Sequence, residues 1–306
     1  MKDTPPSPPA TLESKLAEGR FVITAEVAPP LTASAAVLIE RVRPLKGLVD
    51  AVNVTDAASA RPALSSFAAS AILVREGIEP VLQATCRDRN RIALSADLLG
   101  AAAQGVRNLL VLHGDDPKTG DMPDAKPVYD LDSRAVMSLA RDMRDQGKLL
   151  SGREILSPPH FYIGCADAPI DPPDNWEPKG LEAKIAAGAQ FAQTQFCFDA
   201  ALAERYFARL DALGITGKLK IIAGIGPLLS AKQARFMNEK LFGVSIPQAI
   251  IDRLEVASDP RAEGRAICVE LMERLRQMKG VSGVHIMAPL QSPDAIAETV
   301  KLGGWR

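Results

Sequence analysis

A few polar residues stand where polar residues are costly. Glu26 interrupts the apolar run Phe21–Ala28 (FVITAEVA), just before Pro29-Pro30. Burying a carboxylate is expensive. An unneutralised Glu26 should therefore have a raised pKa and could donate a proton near neutral pH. Pairing with an arginine or lysine for structure alone is the competing reading. His113-Gly114-Asp115-Asp116 follows another apolar run. Its glycine would let backbone approach a flat ligand closely, although Asp and Gly also suit any loop start. Gln195 lies inside FAQTQFCF, Gln83 and Thr85 inside PVLQATC, and His285 between apolar neighbours. Thr55-Asp56 and Tyr162 belong to two further runs. His285 reads either as a satisfied core histidine or as a member of the site. The three histidines, His113, His160 and His285, fall on different runs. No HExxH, P-loop or Ser-His-Asp pattern occurs, and no metal site is read.

The elements that must position these residues alternate. Short β-rich runs occupy Phe21–Ala28, Val49–Val54, Pro80–Cys86, Arg107–His113, His160–Cys165, Phe191–Phe198, Leu219–Ile225 and Gly283–Ala288. Between them, Ala33–Lys46, Arg134–Gln146, Glu177–Ala187 and Ala200–Leu213 keep apolar residues on one helical stripe. Eight β-α units predict an α/β fold, a single (β/α)8 TIM barrel, with extra helices between strands seven and eight. An open doubly wound sheet shares the alternation, but no GxGxxG follows the first strand. In such a barrel the strand C-termini form the active face, which is where the polar residues above fall. The proline-rich start, MKDTPPSPPA, predicts a disordered tail over residues 1–15, with the catalytic barrel over 16–306.

The 36 Lys+Arg nearly balance 37 Asp+Glu, which argues against nucleic acid as a partner and against an anionic membrane surface. No apolar run reaches the length of a membrane span. The four cysteines form no CxxC pair. With no signal peptide visible, a reduced, cytoplasmic protein is expected. The amphipathic segments Val244–Glu255 and Arg261–Met278 either cover the barrel or support a homo-oligomer.

In order along the chain, the motifs resemble the methylenetetrahydrofolate reductase family. Ala25–Pro30 resembles the family's EFFPP run, Val52–Asp56 its VSVTYG, Leu82–Cys86 its HLTC and Leu112–Asp115 its LRGD. Lys126–Tyr129 is similar to its KPxY stretch, Lys184 within AKIAAGA to its RKVDAGA helix, and Thr194–Asp199 to its TQFFFD. Ile221–Pro227 resembles IIPGILP, followed by Lys232-Gln233. The resemblance implies a flavin-binding barrel that interconverts 5,10-methylenetetrahydrofolate and 5-methyltetrahydrofolate in one-carbon metabolism and methionine biosynthesis. It implies FAD as cofactor, NADH or NADPH as electron donor, and tetrahydrofolate derivatives as partners.

By the same resemblance Glu26 is the general acid that assists opening of the imidazolidine ring. Asp115 stabilises the cationic intermediate beside the flavin, and Gln195 holds the pterin. Gln291 stands where the family holds the folate tail. Thr55, Asp56, Gln83, His113, Gly114, Asp115, Tyr129, Asp130, Tyr162, Glu177 and Lys184 fall at flavin contacts. The chain departs from the family pattern at His113 (arginine there), Gln83 (histidine), Asp56 (tyrosine), Ala231 (phenylalanine) and Gln291 (arginine). These departures keep alternatives open: the same chemistry without tightly bound FAD, flux as methyltetrahydrofolate oxidation, or a non-catalytic folate- or flavin-binding barrel.

Overall fold

A computed structural model describes residues 10–305. Eight parallel strands, β1 (Val22–Val27), β2 (Ala51–Val54), β3 (Pro80–Thr85), β4 (Asn108–Leu112), β5 (Tyr162–Asp167), β6 (Phe191–Phe196), β7 (Lys220–Ile225) and β8 (Val281–Ile286), close in sequential order into a barrel. Closure comes from β1 pairing with β8, where Thr24 lies opposite His285. The expected barrel is borne out. Most strand positions are buried on both faces, which is why the strands read as continuous apolar runs rather than as alternations.

Eleven α-helices are described: α1 (Leu12–Ala17), α2 (Ala35–Val42), α3 (Ser66–Arg75), α4 (Arg91–Ala103), α5 (Ser133–Asp145), α6 (Lys179–Ala186), α7 (Ala200–Ala212), α8 (Ala231–Lys240), α9 (Gln248–Val256), α10 (Pro260–Gln277) and α11 (Pro293–Leu302). Helices α8, α9 and α10 all lie between β7 and β8, as the long Ser230–Lys279 spacing predicts. No helix among the described residues is long and apolar enough to cross a membrane.

The tail boundary needs correction. Residues 1–9 lie outside the described residues, but Leu12–Ala17 is helical. Thr11 accepts a hydrogen bond from the Ser14 amide and caps the helix. Leu12 and Leu16, four residues apart, share one face. They are fully buried against Val22, Ala51, Val81, Leu110, Tyr162, Phe191 and Ile222, the inward residues at the N-terminal ends of the strands. The Glu79 carboxylate accepts from the Leu12 amide at 2.9 and 3.0 Å, and Lys15 pairs with Asp50 at 3.0 Å. Helix α1 is thus a plug in the bottom of the barrel.

Above this apolar layer runs a polar one. Gln193 donates to Thr24 Oγ1 (3.1 Å) and Asn53 Oδ1 (3.1 Å), and Asn53 donates back to Gln193 Oε1 at 2.5 Å. Thr24 Oγ1 lies 2.9 Å from His285 Nδ1. All four side chains are buried, and each has a partner, as an interior polar group must.

Leu16→Ala should lower unfolding stability by about 2–5 kcal/mol through the cavity it leaves. Urea denaturation checks this, and an unchanged midpoint would show that α1 is not part of the core.

Candidate active site

The C-terminal mouth of the barrel gathers the sequence candidates into three groups. The first surrounds Glu26. Its Oε2 accepts a hydrogen bond from Gln83 Nε2 at 3.0 Å and lies 3.8 Å from His285 Nε2. The side chain of Glu26 remains 31% exposed, whereas His285 and Gln83 are buried. Burial raises the Glu26 pKa, but the hydrogen bond and charge of His285 and the bond from Gln83 outweigh it, so the carboxyl sits below its ordinary value. The expected raised pKa is therefore corrected: the partners arrive from β3 and β8. A raised carboxyl does occur at Asp167, where burial exceeds the stabilisation from Tyr206, Lys184 and the Ala168 amide. Asp167 turns outward from β5 and meets the Tyr206 hydroxyl at 2.8 Å.

Glu26 opens onto a cleft of about 380 Å³, walled by Val27 and Ala28 after β1, by Ala288–Pro293 after β8, and by Arg41 of α2. Gln291 lines this cleft and donates to the Pro227 carbonyl at 2.8 Å. Arg41 is exposed and makes no hydrogen bond or ion pair to the described residues. Sequence reasoning missed it, because a helical arginine carries no local signal of the cleft it faces.

The second group joins the loops after β2, β3 and β4. Asp56 is buried and receives both guanidinium nitrogens of Arg89, at 2.7 and 3.1 Å, together with the Thr85 amide (2.9 Å) and hydroxyl (2.8 Å). Burial raises the Asp56 pKa, but Arg89 and Thr85 together bring it below the ordinary value. Asp56 is thus committed to structure, its Oδ2 taking three of the four bonds. Asp130 is likewise held by Arg91, whose bonds lower its pKa to about 2. Asp115 is exposed and accepts from the Ser59 amide at 2.6 Å. Arg87 is buried and engages Asp88 with two nitrogens, the Asp115 carbonyl and the Ala57 carbonyl. Gly114 has φ +94°, and a Cβ there would come within 2.9 Å of Arg87 Cβ. Only glycine lets the β4 turn close over Arg87. Thr55 is buried at the end of β2. His113 and Tyr129 stack with centroids 4.4 Å apart and planes at 6°. Tyr129 holds a positive φ of 41° to reach this position.

The third group is looser. Lys184 of α6 donates to the Ala166 carbonyl at the end of β5, at 2.6 Å. Gln195 donates to the Phe242 carbonyl (3.3 Å) and accepts from the Phe196 amide (3.0 Å), beside a register shift between β6 and β7. Glu177 is exposed in the loop before α6 and pairs with Lys179. Tyr162 is not at the mouth. It is the first residue of β5, in the bottom apolar layer, stacked on Phe191 at 5.0 Å. The strand begins two residues later than the apolar run suggested, which moves this tyrosine to the opposite end.

The mouth suits a planar ligand along the β4–β5 side: the His113–Tyr129 stack offers an aromatic plane, and Lys184 supplies a cation. These features fit a flavin.

Fold and site together define a (β/α)8 barrel with a carboxyl–imidazole pair at its mouth and a polar rim beside it. The family model described as methylenetetrahydrofolate reductase matches residues 11–303, and the chain belongs to that family. A Caenorhabditis elegans protein named probable methylenetetrahydrofolate reductase (NADPH) is 30% identical over 79% of this chain and 35% of its own length. The 5,10-methylenetetrahydrofolate reductase of Pectobacterium carotovorum is 28% identical over 90% of this chain and 88% of its own. The chain thus spans about a third of the worm relative and most of the bacterial one. Among solved structures, a Clostridium thermocellum protein described as binding two copies of 5-methyl-5,6,7,8-tetrahydrofolic acid shares the fold, with a TM-score of 0.63 over 95% of this chain and 97% of its own at 14% identity.

Asp56→Asn should destabilise the protein by about 3–5 kcal/mol, since it leaves the Arg89 charge half-paired in a buried setting. The lowered pKa of Asp56 means its stabilisation is complete above the unfolded value, about 3.9, and is lost as pH falls through the folded value. Wild-type stability should therefore decline at acid pH more steeply than that of Asp56→Asn. Parallel slopes in denaturation at several pH values would contradict this.

Proposed function

We propose that this protein is a cytoplasmic, flavin-dependent reductase that interconverts 5,10-methylenetetrahydrofolate and 5-methyltetrahydrofolate, within one-carbon metabolism that feeds methionine biosynthesis. The observation that carries the reading is Glu26: a carboxyl at the barrel mouth, held by Gln83 and His285, opening onto a cleft lined by the Arg41 guanidinium, which is unpaired among the described residues. FAD, reduced by NADH or NADPH, supplies a hydride when bound.

The chain's own residues handle the proton and the charge. In the open cleft Glu26 keeps its proton weakly. A pterin covering it removes the remaining water and favours the neutral acid. Glu26 then protonates an imidazolidine nitrogen as the ring C–N bond breaks, its electron pair going to that nitrogen. The product is an iminium cation, ready for hydride. Asp115, exposed on the rim, places an anion toward that cation. Gln195 presents its amide to the pterin. Arg41, which lines the cleft together with Gln291, supplies a charge for the carboxylates of the folate tail.

One observation favours a loosely held cofactor. Arg87, Arg89 and Arg91 are all tied to carboxylates, so none is free to grip a phosphate. The visible absorption of the purified protein before and after gel filtration measures this directly.

Glu26→Gln should lower turnover by about 10²–10⁴-fold while 5-methyltetrahydrofolate still binds. Wild-type protein that, supplied with FAD and NADH or NADPH, neither reduces methylenetetrahydrofolate nor oxidises methyltetrahydrofolate would overturn the reading. Arg41→Ala should weaken binding of 5-methyltetrahydrofolate about tenfold, yet leave a tetrahydropterin without the glutamate tail unaffected. Equal losses for both ligands in calorimetry would remove Arg41 from tail recognition.

A further inference from the structure

The chain passes from β8 to α11 through a tight turn. The Gln291 amide donates to the Ala288 carbonyl at 3.1 Å, with Pro289 and Leu290 at the centre. Proline fixes its own φ near −65°, and Leu290 has φ +63°. That combination defines a type II turn, whose third position ordinarily takes glycine or asparagine. A Cβ on a left-handed residue crowds the following carbonyl. Leucine there is an outlier.

The turn is held from outside as well. Gln291 Nε2 donates to the Pro227 carbonyl, beyond β7, at 2.8 Å. Gln233 of α8 donates to the Pro289 carbonyl at 3.4 Å, while its Oε1 accepts from the Leu229 amide at 2.7 Å. Strain of this kind persists only where surrounding contacts fix it. The leucine side chain adds nothing to that fixing. It is 93% exposed and belongs to neither hydrophobic cluster of the barrel. A lone exposed leucine is ordinary. A leucine both exposed and held where glycine is the norm needs a reason outside the fold.

The cleft supplies one. Leu290 lines it with Pro289, Pro293 and Ile296, and the same cleft holds Glu26 and Arg41. Two charged groups thus share a small space with an apolar wall, a combination suited to a ligand that is polar at its ends and apolar between them.

We propose that Leu290 is a specificity-determining residue, an apolar lip that packs on the aryl ring joining a pterin to its carboxylate tail. The proposal rests on the folate reading of Glu26 and Arg41. A ligand engaging Glu26 through its pterin and Arg41 through its tail lays the linking ring along this wall, and the ring takes the leucine out of water. Ligands with the ring are thereby selected over plain pterins. The contact is made equally before and during the reaction, so its loss raises KM and leaves kcat little changed.

Leu290→Asn tests this in the intact protein, because asparagine accepts the left-handed turn and removes only the apolar lip. Calorimetry with three probes reads the effect: 5-methyltetrahydrofolate, 5-methyltetrahydropteroate (the aryl ring without the glutamate), and a tetrahydropterin lacking both. The variant should bind the first two about tenfold more weakly and the third as wild type does. Leu290→Met, which keeps an apolar side chain of similar volume, should retain the affinity of wild type for all three. The unfolding midpoint of Leu290→Asn should be no lower than that of wild type. A lowered midpoint would show the leucine to be packed in the fold rather than presented to a ligand, and would overturn the proposal. So would unchanged affinities, or equal losses for all three probes. Wild-type protein that binds none of them sinks the folate reading and this proposal together, whereas wild-type binding that Leu290→Asn leaves untouched sinks the proposal alone.

Discussion

The interior of the barrel must satisfy every polar group it buries, and the Thr24–Gln193–Asn53–His285 layer is how it does so. Below the layer lies the bottom hydrophobic cluster, sealed by Leu12 and Leu16. Above it the mouth carries charge. A buried amide or hydroxyl without a partner costs more than the same atoms in an apolar core would. The four side chains, drawn from β1, β2, β6 and β8, therefore hold those strands to one register. The same layer is the floor on which Glu26 stands, so the acid inherits its geometry from the packing.

Charge at the mouth is divided by function. On the β2–β4 side, carboxylates and guanidinium groups neutralise one another: Asp56 with Arg89, Asp88 with Arg87, Asp130 with Arg91. These pairs shape loops, and three residues of the β2 loop, Ala57, Ser59 and Ala60, take positive φ to fit between them. On the β1–β8 side, Glu26 meets the Gln83 amide and an imidazole, and Arg41 is free of partners among the described residues. Reactivity belongs to the side where charges are left incompletely matched. The near-zero net charge of the chain is thus compatible with a strongly polar cleft.

The barrel was legible because eight apolar runs at regular spacing, each followed by a helical stripe, fit few arrangements besides a closed parallel sheet. Glu26 was legible as a carboxyl inside an apolar run. The direction of its pKa was not, since that depends on Gln83 and His285, 57 and 259 residues further along (83 − 26 and 285 − 26). Tyr162 was misplaced because an apolar run does not mark which residue begins the strand, and two positions decide which end of the barrel a side chain faces. Asp56 reads from the sequence as a rim ligand because nothing local marks Arg89, 33 residues away, as its partner. Helix α1 left a signal, a threonine cap followed by leucines four apart, but the neighbouring prolines obscured it. The family resemblance correctly indicated the lineage, while the roles of single residues depended on contacts between distant strands.

Helix α1 also constrains the order in which the chain can assemble. Its leucines touch residues from Val22 to Ile222, so α1 has no complete docking place until the seven strands that follow it in the chain have formed. During synthesis, then, two leucines wait in water for the barrel to be built around their eventual seat. Closure of the barrel, β8 against β1, likewise waits for the last of the eight strands.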